Sequence, residues 1–105
     1  MNDALRSLMD IDRVIHEPAR LMILVVLSAV EEADFLYLLN VTGLTKGNLS
    51  AHLSRLEEAG YVAVDKSFVG KVPRTVGRLT AQGREALEAY RGQMRAVMRQ
   101  AESPP

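Results

Sequence analysis

One segment of the sequence, GLTKGNLSAHLSRLEEAGYV from Gly43 to Val62, constrains the fold more than any other part of the chain. Thr45 stands where an N-cap belongs, and three leucines follow at spacings of four and three residues, which places them on one helical face: Leu49, Leu53 and Leu56. Gly60 suits the left-handed conformation that closes many helices. The segment therefore predicts a helix over residues 45–59 that packs on a core through its leucines.

The face opposite the leucines is small and polar. At about 100° per residue, the helical wheel places on this face or beside it Lys46, Gly47, Asn48, Ser50, Ala51, Ser54 and Arg55. A helix that enters a DNA major groove needs short side chains, hydrogen-bonding groups for base edges and cations near phosphates. This face offers all three. A leucine stripe with a polar outer face is also what any surface helix of a small domain has, so the helix alone leaves both interpretations open.

The first two predicted helices lie in the N-terminal third of the chain. The first includes Leu5 to His16 and has apolar residues along one side. Pro18 suits the first position of the second helix, and Ala19 to Val30 is apolar almost all round, as expected of a central buried helix. These helices are expected to supply the core on which the leucine stripe packs.

The sequence on either side of the predicted helix completes a pattern. Asp34 to Asn40 predicts a short helix capped by Asp34, and Val41 to Leu44 predicts a turn. Strands are expected over residues 61–66 and 74–79, with a loop over residues 67–73 between them. The order is that of a helix-turn-helix followed by a β-hairpin wing.

In this order the segments resemble winged-helix transcriptional regulators of the MarR and ArsR type. The resemblance covers roughly Ile11 to Leu87 and rests on HEPARLMILVVL, GLTKGNLSAHLSRLEEAGYV, KVPRTVGRLT and LTAQGREAL. In that family the corresponding segments are the first core helix, the recognition helix, the wing and the start of a dimerising helix. The resemblance implies a mainly α fold with a small β-hairpin wing, a winged helix-turn-helix whose N- and C-terminal helices form a dimer interface.

Two features depart from that pattern. Gly77 lies in the second wing strand, where such sequences more often carry a larger side chain, which puts the packing of the wing in question. The chain has no cysteine, which disfavours metal sensing of the ArsR type and suits a reducing cytoplasm. A cytoplasmic protein without a cofactor, a metal or a membrane segment is therefore expected.

With 105 residues and 48% hydrophobic content, the chain is expected to form a single winged-helix domain over residues 1–105. Its parts are a core over residues 11–80, a C-terminal dimerisation helix over residues 81–100 and a disordered tail over residues 101–105. The sequence lacks a glycine-rich phosphate loop, an HExxH segment and a nucleophile elbow, so we expect no enzymatic activity.

The charge distribution supports DNA binding although the formal net charge is zero. Residues 1–40 hold three basic and seven acidic residues, residues 41–80 hold six and three, and residues 81–105 hold four and three. The net charges are therefore −4, +3 and +1, and the positive part contains the predicted helix and wing. Overall neutrality is the main argument for an alternative, a winged-helix protein-protein interaction module that does not bind DNA.

The candidate DNA-contacting residues of the helix are polar and lie on its outer face or in its first turn: Thr45, Lys46, Asn48, Ser50, Ser54 and Arg55. Arg55 suits a guanine contact and Asn48 an adenine contact. Lys46 and the Thr45 hydroxyl suit phosphate, because the backbone amides at a helix start favour anions. In a twofold dimer, two such helices would enter successive major grooves of a pseudo-palindromic operator, about 34 to 36 Å apart.

The wing, expected over residues 66–78, offers a second set of cations. Lys71 and Arg74 are the principal candidates for contact with the DNA backbone or the adjoining minor groove, and Lys66 and Arg78 are further candidates. Each of these is also compatible with a solvated surface charge.

The last predicted helix carries a heptad-like seam. After an N-cap at Thr80, apolar residues recur at spacings of three and four from Leu87 to Ala101. We expect this seam to form a homodimer interface together with the first helix, through Leu5, Leu8, Leu87, Tyr90, Met94 and Val97. The alternative is that the helix packs on the N-terminal helix of its own chain.

A small-molecule effector and the two histidines complete the candidate sites. Regulators of the resembled type often respond to ligands bound between the dimer helices and the winged domain, and this space could be lined by Tyr37, Tyr90, Met94 and Met98. These four residues are equally compatible with the core, and no effector is identified. His52 is expected to be a partly buried packing or phosphate-contact residue and His16 to help cap a turn.

Overall fold

The computed structural model describes residues 3–102. Along this part of the chain the elements are α1 (Asp3–Ser7), a 3₁₀ turn (Leu8–Asp10), α2 (Pro18–Ser28), β1 (Ala33–Asp34), α3 (Phe35–Thr42), α4 (Lys46–Glu58), β2 (Val62–Val69), β3 (Val72–Leu79) and α5 (Ala81–Glu102). The strands form one antiparallel sheet in the order β1, β3, β2. The winged helix-turn-helix fold that the resemblance implies is confirmed.

The core lies between α2, the helix-turn-helix and the start of α5. Its residues are buried and almost all aliphatic: Ile11, Ile15, Ile23, Leu24, Leu27, Ala33, Leu38, Leu49, Leu53, Leu56, Val62, Leu87 and Tyr90. Pro18 occupies the first turn of α2, as predicted, and the Glu17 carboxylate caps the helix by accepting hydrogen bonds from the backbone N–H groups of Ala19 and Arg20. The helix predicted to be central thus forms the middle of the core.

The helices α3 and α4 begin where the sequence predicts, and α4 ends within a residue of its predicted end. α3 continues to Thr42, two residues beyond its predicted end at Asn40. Asp34 caps α3 by accepting from the Tyr37 backbone N–H at 2.8 Å, and Gly43 closes it with a φ of 71°. At the end of α4 the Gly60 N–H donates to Glu57 and the Tyr61 N–H to Leu56, the bond pair of a Schellman motif. Gly60 has a φ of 82°, which only glycine adopts at little cost.

The wing, defined here as the β2–β3 hairpin, is longer and tighter than predicted. Its strands pair from Val62 with Leu79 to Val69 with Val72, so only Gly70 and Lys71 remain in the turn. The expected loop over residues 67–73 was wrong. Gly70 and Lys71 form a two-residue turn, so residues 67–69 and 72–73 continue the strands. Of the two turn residues, Gly70 has a positive φ, 63°, and Lys71 does not. A type II′ turn requires this of its first central residue.

A short strand joins the wing to the helix-turn-helix. β1 pairs with β3 through Ala33 with Gly77 and Asp34 with Val76, which the sequence did not predict because two residues carry no periodicity. Gly77 is buried, and a Cβ placed on it would lie 3.9 Å from side-chain atoms of Leu53 and Val62, at ordinary contact distance. The wing is therefore packed at Gly77, with room for a methyl group.

The predicted first helix over residues 5–16 was wrong beyond Ser7. The Asp12 carboxylate accepts hydrogen bonds from the backbone N–H groups of Val14 and Ile15, which replaces helical bonds by a local turn. The Arg20 guanidinium donates to the Val14 carbonyl and holds the same segment. Ile11 and Ile15 are buried nevertheless, so their predicted apolar role holds without a helix.

The start of α5 lies against the end of α4 at a junction built around Gly83. The Thr80 hydroxyl donates to the Gly60 carbonyl at 2.6 Å and accepts from the Gly83 N–H at 2.9 Å, and the Thr80 N–H donates to the Tyr61 carbonyl. A Cβ on Gly83 would lie 2.1 Å from that Tyr61 carbonyl oxygen. The glycine that lowers helix propensity at this position therefore permits the close approach of two elements.

The seam of α5 packs within its own chain. Leu87, Tyr90 and Val97 are buried, and Leu8 and Met94 pack against the core, while Leu5 is exposed. This packing agrees with the alternative that α5 packs within its own chain, because a heptad-like spacing does not distinguish a second chain from α1. The homodimer interface stays a prediction. The Gln93 amide also donates to the Ser7 carbonyl of α1.

The C-terminal helix extends beyond its predicted end. α5 continues to Glu102, so Ala101 and Glu102 are helical where a tail was expected, and residues 103–105 lie outside the described residues. Among residues 3–102 no helix combines the length and the apolarity needed to cross a membrane.

Replacing Gly83 tests the junction. Gly83→Ala should lower the free energy of unfolding by about 1 to 3 kcal/mol, because the added methyl group overlaps the backbone of Tyr61. Gly92→Ala in the same helix is the matched control: nothing lies within 4 Å of its Cβ, so it should raise the free energy by about 0.5 to 1 kcal/mol. Urea unfolding measures both. Equal stability of the two variants would contradict the close approach.

Tyr61 should make stability fall in alkaline solution. Its hydroxyl donates to the Asp12 carboxylate, and this bond, together with burial, raises the pKa of Tyr61 to about 12. An unfolded tyrosine ionises near about pH 10. The stabilisation is therefore complete below that pH and is lost as the pH rises toward 12.

Tyr61→Phe removes this dependence. At pH 8 the variant should be about 1 kcal/mol less stable than the wild type, and the difference should shrink between about pH 10 and 12. Urea unfolding of both proteins at pH 8, 10 and 11.5 measures it. A difference that stays constant over this range would show that the Tyr61 hydroxyl has its ordinary pKa in the folded state.

Candidate nucleic-acid interface

The outer face of α4 is open to solvent. Its leucines are buried, and each of the residues predicted to contact DNA from this helix is exposed: Thr45, Lys46, Asn48, Ser50, Ser54 and Arg55. Gly47 and Ala51 on the same face are also exposed and add no bulk. Within residues 3–102, Lys46, Asn48 and Arg55 have no side-chain hydrogen bond or ion pair. Their polar groups are therefore available to a ligand.

Thr45 shapes the start of this face. Its hydroxyl oxygen accepts a hydrogen bond from the Asn48 backbone N–H at 3.1 Å, as expected of an N-cap. The hydroxyl hydrogen remains free to donate outward. Lys46 follows directly, so a cation and a free donor lie beside the positive end of the helix dipole.

A cleft of about 250 Å³ separates α4 from the wing. Its lining residues are Phe35, Ser50, Leu53, Ser54, Glu57, Val64, Lys66 and Thr75. Ser50 and Ser54 therefore face the wing and share the cleft with Lys66, which brings a wing cation to the predicted DNA-contacting face. Glu57 also lines the cleft, so the charge of the cleft is not uniformly positive.

The other wing cations occupy different positions. Lys71 lies in the turn at the tip, and Arg74 is exposed on β3. Arg78 forms an ion pair with Asp65 across the strands, with both side chains exposed. Because Asp65 neutralises Arg78, the wing charges that remain for a phosphate are Lys66, Lys71 and Arg74.

His52 connects α4 to the start of α2, a contact that the sequence did not identify. Its Nδ1 lies 3.3 Å from Nη1 of Arg20 and 3.6 Å from a carboxylate oxygen of Glu17. Burial alone would raise the pKa of Glu17, but hydrogen bonds from the Ala19 and Arg20 backbone outweigh it, and with the charges of His52 and Arg20 they lower that pKa. The partial burial predicted for His52 is confirmed.

The four candidate residues of the expected effector space differ in exposure within the single chain, and an effector site between dimer helices stays a prediction. Tyr90 is buried, and its hydroxyl lies 2.9 Å from Nδ1 of His16, while Tyr37 and Met98 are exposed. Neither the cleft beside α4 nor a second cleft beside β3 is lined by Tyr37, Tyr90, Met94 or Met98. Within the described part of the chain, no three His, Asp or Glu residues are grouped so that they could hold a metal ion.

The fold and the exposed polar face of α4 define a winged helix-turn-helix domain, in which α4 is the second helix of the motif and the β2–β3 hairpin is the wing. A family model described as a winged helix DNA-binding domain matches residues 19–98. The chain belongs to this family of DNA-binding domains. Membership agrees with the expectation that the chain is not an enzyme.

Similar proteins come from archaea and bacteria. An uncharacterised protein of Methanocaldococcus jannaschii is 36% identical over 78 residues, which is 74% of this chain and 85% of that protein. The structure of a transcriptional regulator homologue from Pyrococcus horikoshii superposes with a TM-score of 0.86 at 30% identity, over 96% of this chain and 99% of that chain. A PadR-family transcriptional regulator from Eggerthella lenta has the same fold at 22% identity, with a TM-score of 0.67 over 95% and 91% of the two chains.

Proposed function

We propose that this protein is a sequence-specific transcriptional regulator that binds DNA as a homodimer. Two copies of α4 enter successive major grooves of a pseudo-palindromic operator, and each wing contacts the adjoining backbone and minor groove. Base contacts come from Asn48, Ser50, Ser54 and Arg55, and phosphate contacts from Thr45, Lys46, Lys71 and Arg74.

The observation that carries this proposal is the division of α4 into two faces. The leucines are buried, so the helix cannot rotate to hide its polar residues without losing core contacts. Short side chains leave the backbone free to approach base edges, and Lys46 and Arg55 supply charge where phosphates would lie. A surface of this composition suits a polyanion better than an apolar protein partner.

The alternative, a protein-protein interaction module, predicts apolar or acidic residues on the outer face of α4. That face carries Lys46, Asn48 and Arg55, with Glu58 as its acidic residue. Selection of binding sites from a random duplex pool, followed by a gel shift at two salt concentrations, separates the two functions. A regulator retains a defined sequence and loses affinity with salt, whereas an interaction module retains no duplex.

The dimer requires a surface other than the buried part of the α5 seam. Met9, beside α1, and Met98, on α5, are large apolar side chains that remain exposed, and α1 and α5 pack on each other. Pairing of two copies through these elements would remove this apolar surface from water. It would also fix the separation of the two α4 helices.

Replacing Arg55 and Lys71 separates base contacts from phosphate contacts. Arg55→Ala should lose about 1 to 3 kcal/mol at the selected site and less on a scrambled duplex, which relaxes sequence preference. Lys71→Ala should weaken both duplexes alike and lower the slope of log affinity against log salt by about one. Fluorescence anisotropy at several salt concentrations measures both.

Arg95→Ala is the control for these variants, because Arg95 is an exposed cation on α5, away from α4 and the wing. It should bind both duplexes as the wild type does. If Arg55→Ala and Lys71→Ala also bind both duplexes unchanged, the assignment of these residues is wrong.

Light scattering tests the homodimer. The wild type at micromolar concentration should have twice the mass of one chain, and Met98→Glu should shift it toward the monomer because a charge would be buried in the interface. Gln100→Glu adds the same charge at an exposed polar position of α5 and should leave the mass unchanged. A wild type that is monomeric at this concentration contradicts the dimer.

A further inference from the structure

The outer half of the wing is apolar on both faces. Phe68 pairs with Pro73 across the strands, and Val69 pairs with Val72. Phe68, Val69 and Val72 are 72%, 63% and 65% exposed. A single exposed apolar residue is ordinary, but four together at the end of a projecting hairpin form a patch of the kind that marks a binding surface.

The strand register assigns the apolar residues of the outer wing to two faces of the hairpin. Residues directly opposite each other on paired strands share a face, and side chains alternate along each strand. Val64, Lys66 and Thr75 line the cleft against α4, so the Phe68–Pro73 pair is the next pair along this same face. Val69 and Val72 lie on the other face. They line, with Leu36, a second cleft of about 360 Å³, which also reaches Pro73 and Thr75 of the first face.

The distance between Phe68 and α4 suits one particular feature of DNA. Val64 lies beside α4, and at about 3.3 Å per residue Phe68 lies roughly 13 Å and the tip at Val69 roughly 17 Å farther along the strand. In a duplex the minor groove lies half a helical turn, about 17 Å, from the centre of a major groove. With α4 in the major groove, the outer half of the wing reaches the minor groove.

The charges around this patch favour DNA over a second protein surface. Lys66, Lys71 and Arg74 lie beside or between the four apolar residues, and the one wing carboxylate, Asp65, is paired with Arg78. A second copy of the wing would bring these cations together and repel. The edges of a minor groove are phosphates, which attract them while the groove floor accepts apolar groups.

The hairpin is also stiff enough to exert force on a base stack. Its strands pair without interruption from Val62 to Val69, and the two-residue turn leaves no loose loop at the tip. Pro73, the residue opposite Phe68 on β3, has a fixed φ, which limits the backbone motion of the strand at this pair. Proteins that bend DNA from the minor groove insert Phe, Leu, Ile, Met or Pro side chains between base pairs.

We propose that Phe68 inserts between two base pairs in the minor groove beside the α4 site, and that this insertion unstacks one step in each half-site and bends the duplex. The proposal rests on the proposed function, because it requires DNA bound by α4. It adds indirect readout to that function, since a pyrimidine-purine step under the wing is the easiest step to unstack.

The experiment uses a duplex of the selected site, labelled at its ends for energy transfer, and a second set with 2-aminopurine at each step under the wing. Wild-type binding should raise 2-aminopurine fluorescence by about twofold or more at one step per half-site, and bend the duplex by about 20 to 90°. Phe68→Ala should lose both signals with a loss of affinity of about tenfold or less. Phe68→Leu, which retains an apolar wedge, should keep part of both.

Val69→Ala is the matched control, because Val69 is adjacent, similarly exposed and on the opposite face. It should keep the fluorescence and the bend of the wild type. The wedge is overturned if the wild type binds without a fluorescence increase, if Phe68→Ala retains the bend, or if Val69→Ala loses as much as Phe68→Ala. A wild type that binds no duplex contradicts the proposed function itself, which distinguishes the two failures.

Discussion

Burial of three leucines of α4 determines which residues of this helix face the solvent. Leu49, Leu53 and Leu56 pack into the core that α2 centres, and complete burial of a leucine contributes about 1.5 to 3 kcal/mol. These contacts fix the rotation of α4 about its axis, so the residues facing outward follow from the helical period alone. Substitutions on the outer face cost little stability in comparison. The same scaffold can therefore carry different outer residues, which is how a helix of this kind acquires a different sequence preference.

Polar contacts then fix the ends and the inclination of α4. Thr45 caps its start, the Schellman motif at Gly60 closes its end, and His52 holds its middle to Glu17 and Arg20 at the start of α2. Each contact alone is weak, because several of the groups are partly exposed. Acting at three points along one helix, they oppose rocking that the apolar contacts would allow. The polar face is thus presented at a defined angle, which base-edge hydrogen bonds require.

Much of the fold could be predicted from the sequence, because its signals are local. The leucine spacing, the caps at Asp34 and Thr45 and the glycine after α4 fixed two helices to within a residue or two. The prediction was wrong where one spacing of apolar residues is compatible with two local structures. Ile11 and Ile15 have helical spacing but lie in a segment held by a turn at Asp12. β1 and the His52 contact arise only from tertiary proximity, and no pattern in the sequence encodes them.

For the candidate site, the sequence identified the exposed residues of α4 but not the character of the wing. A loop was expected where residues 67–69 and 72–73 continue the strands, and a loop has no register that would place Phe68 opposite Pro73 or Val69 opposite Val72. Register is what reveals those pairs, since it assigns Phe68 and Val69 to opposite faces. The pairing of Asp65 with Arg78 was equally hidden, because the two residues are thirteen positions apart in the sequence.

The junction at Gly83 has a mechanical consequence. α5 has 22 residues and is about 33 Å long at 1.5 Å per residue. Its first turn is joined to the end of α4 by Thr80 and the backbone of residues 60–61, and its middle packs on the core and on α1 through Tyr90 and Gln93. Because a Cβ would not fit at Gly83, the end of α4 and the start of α5 have little room to shift relative to each other. A displacement of α5 would therefore carry the end of α4 with it.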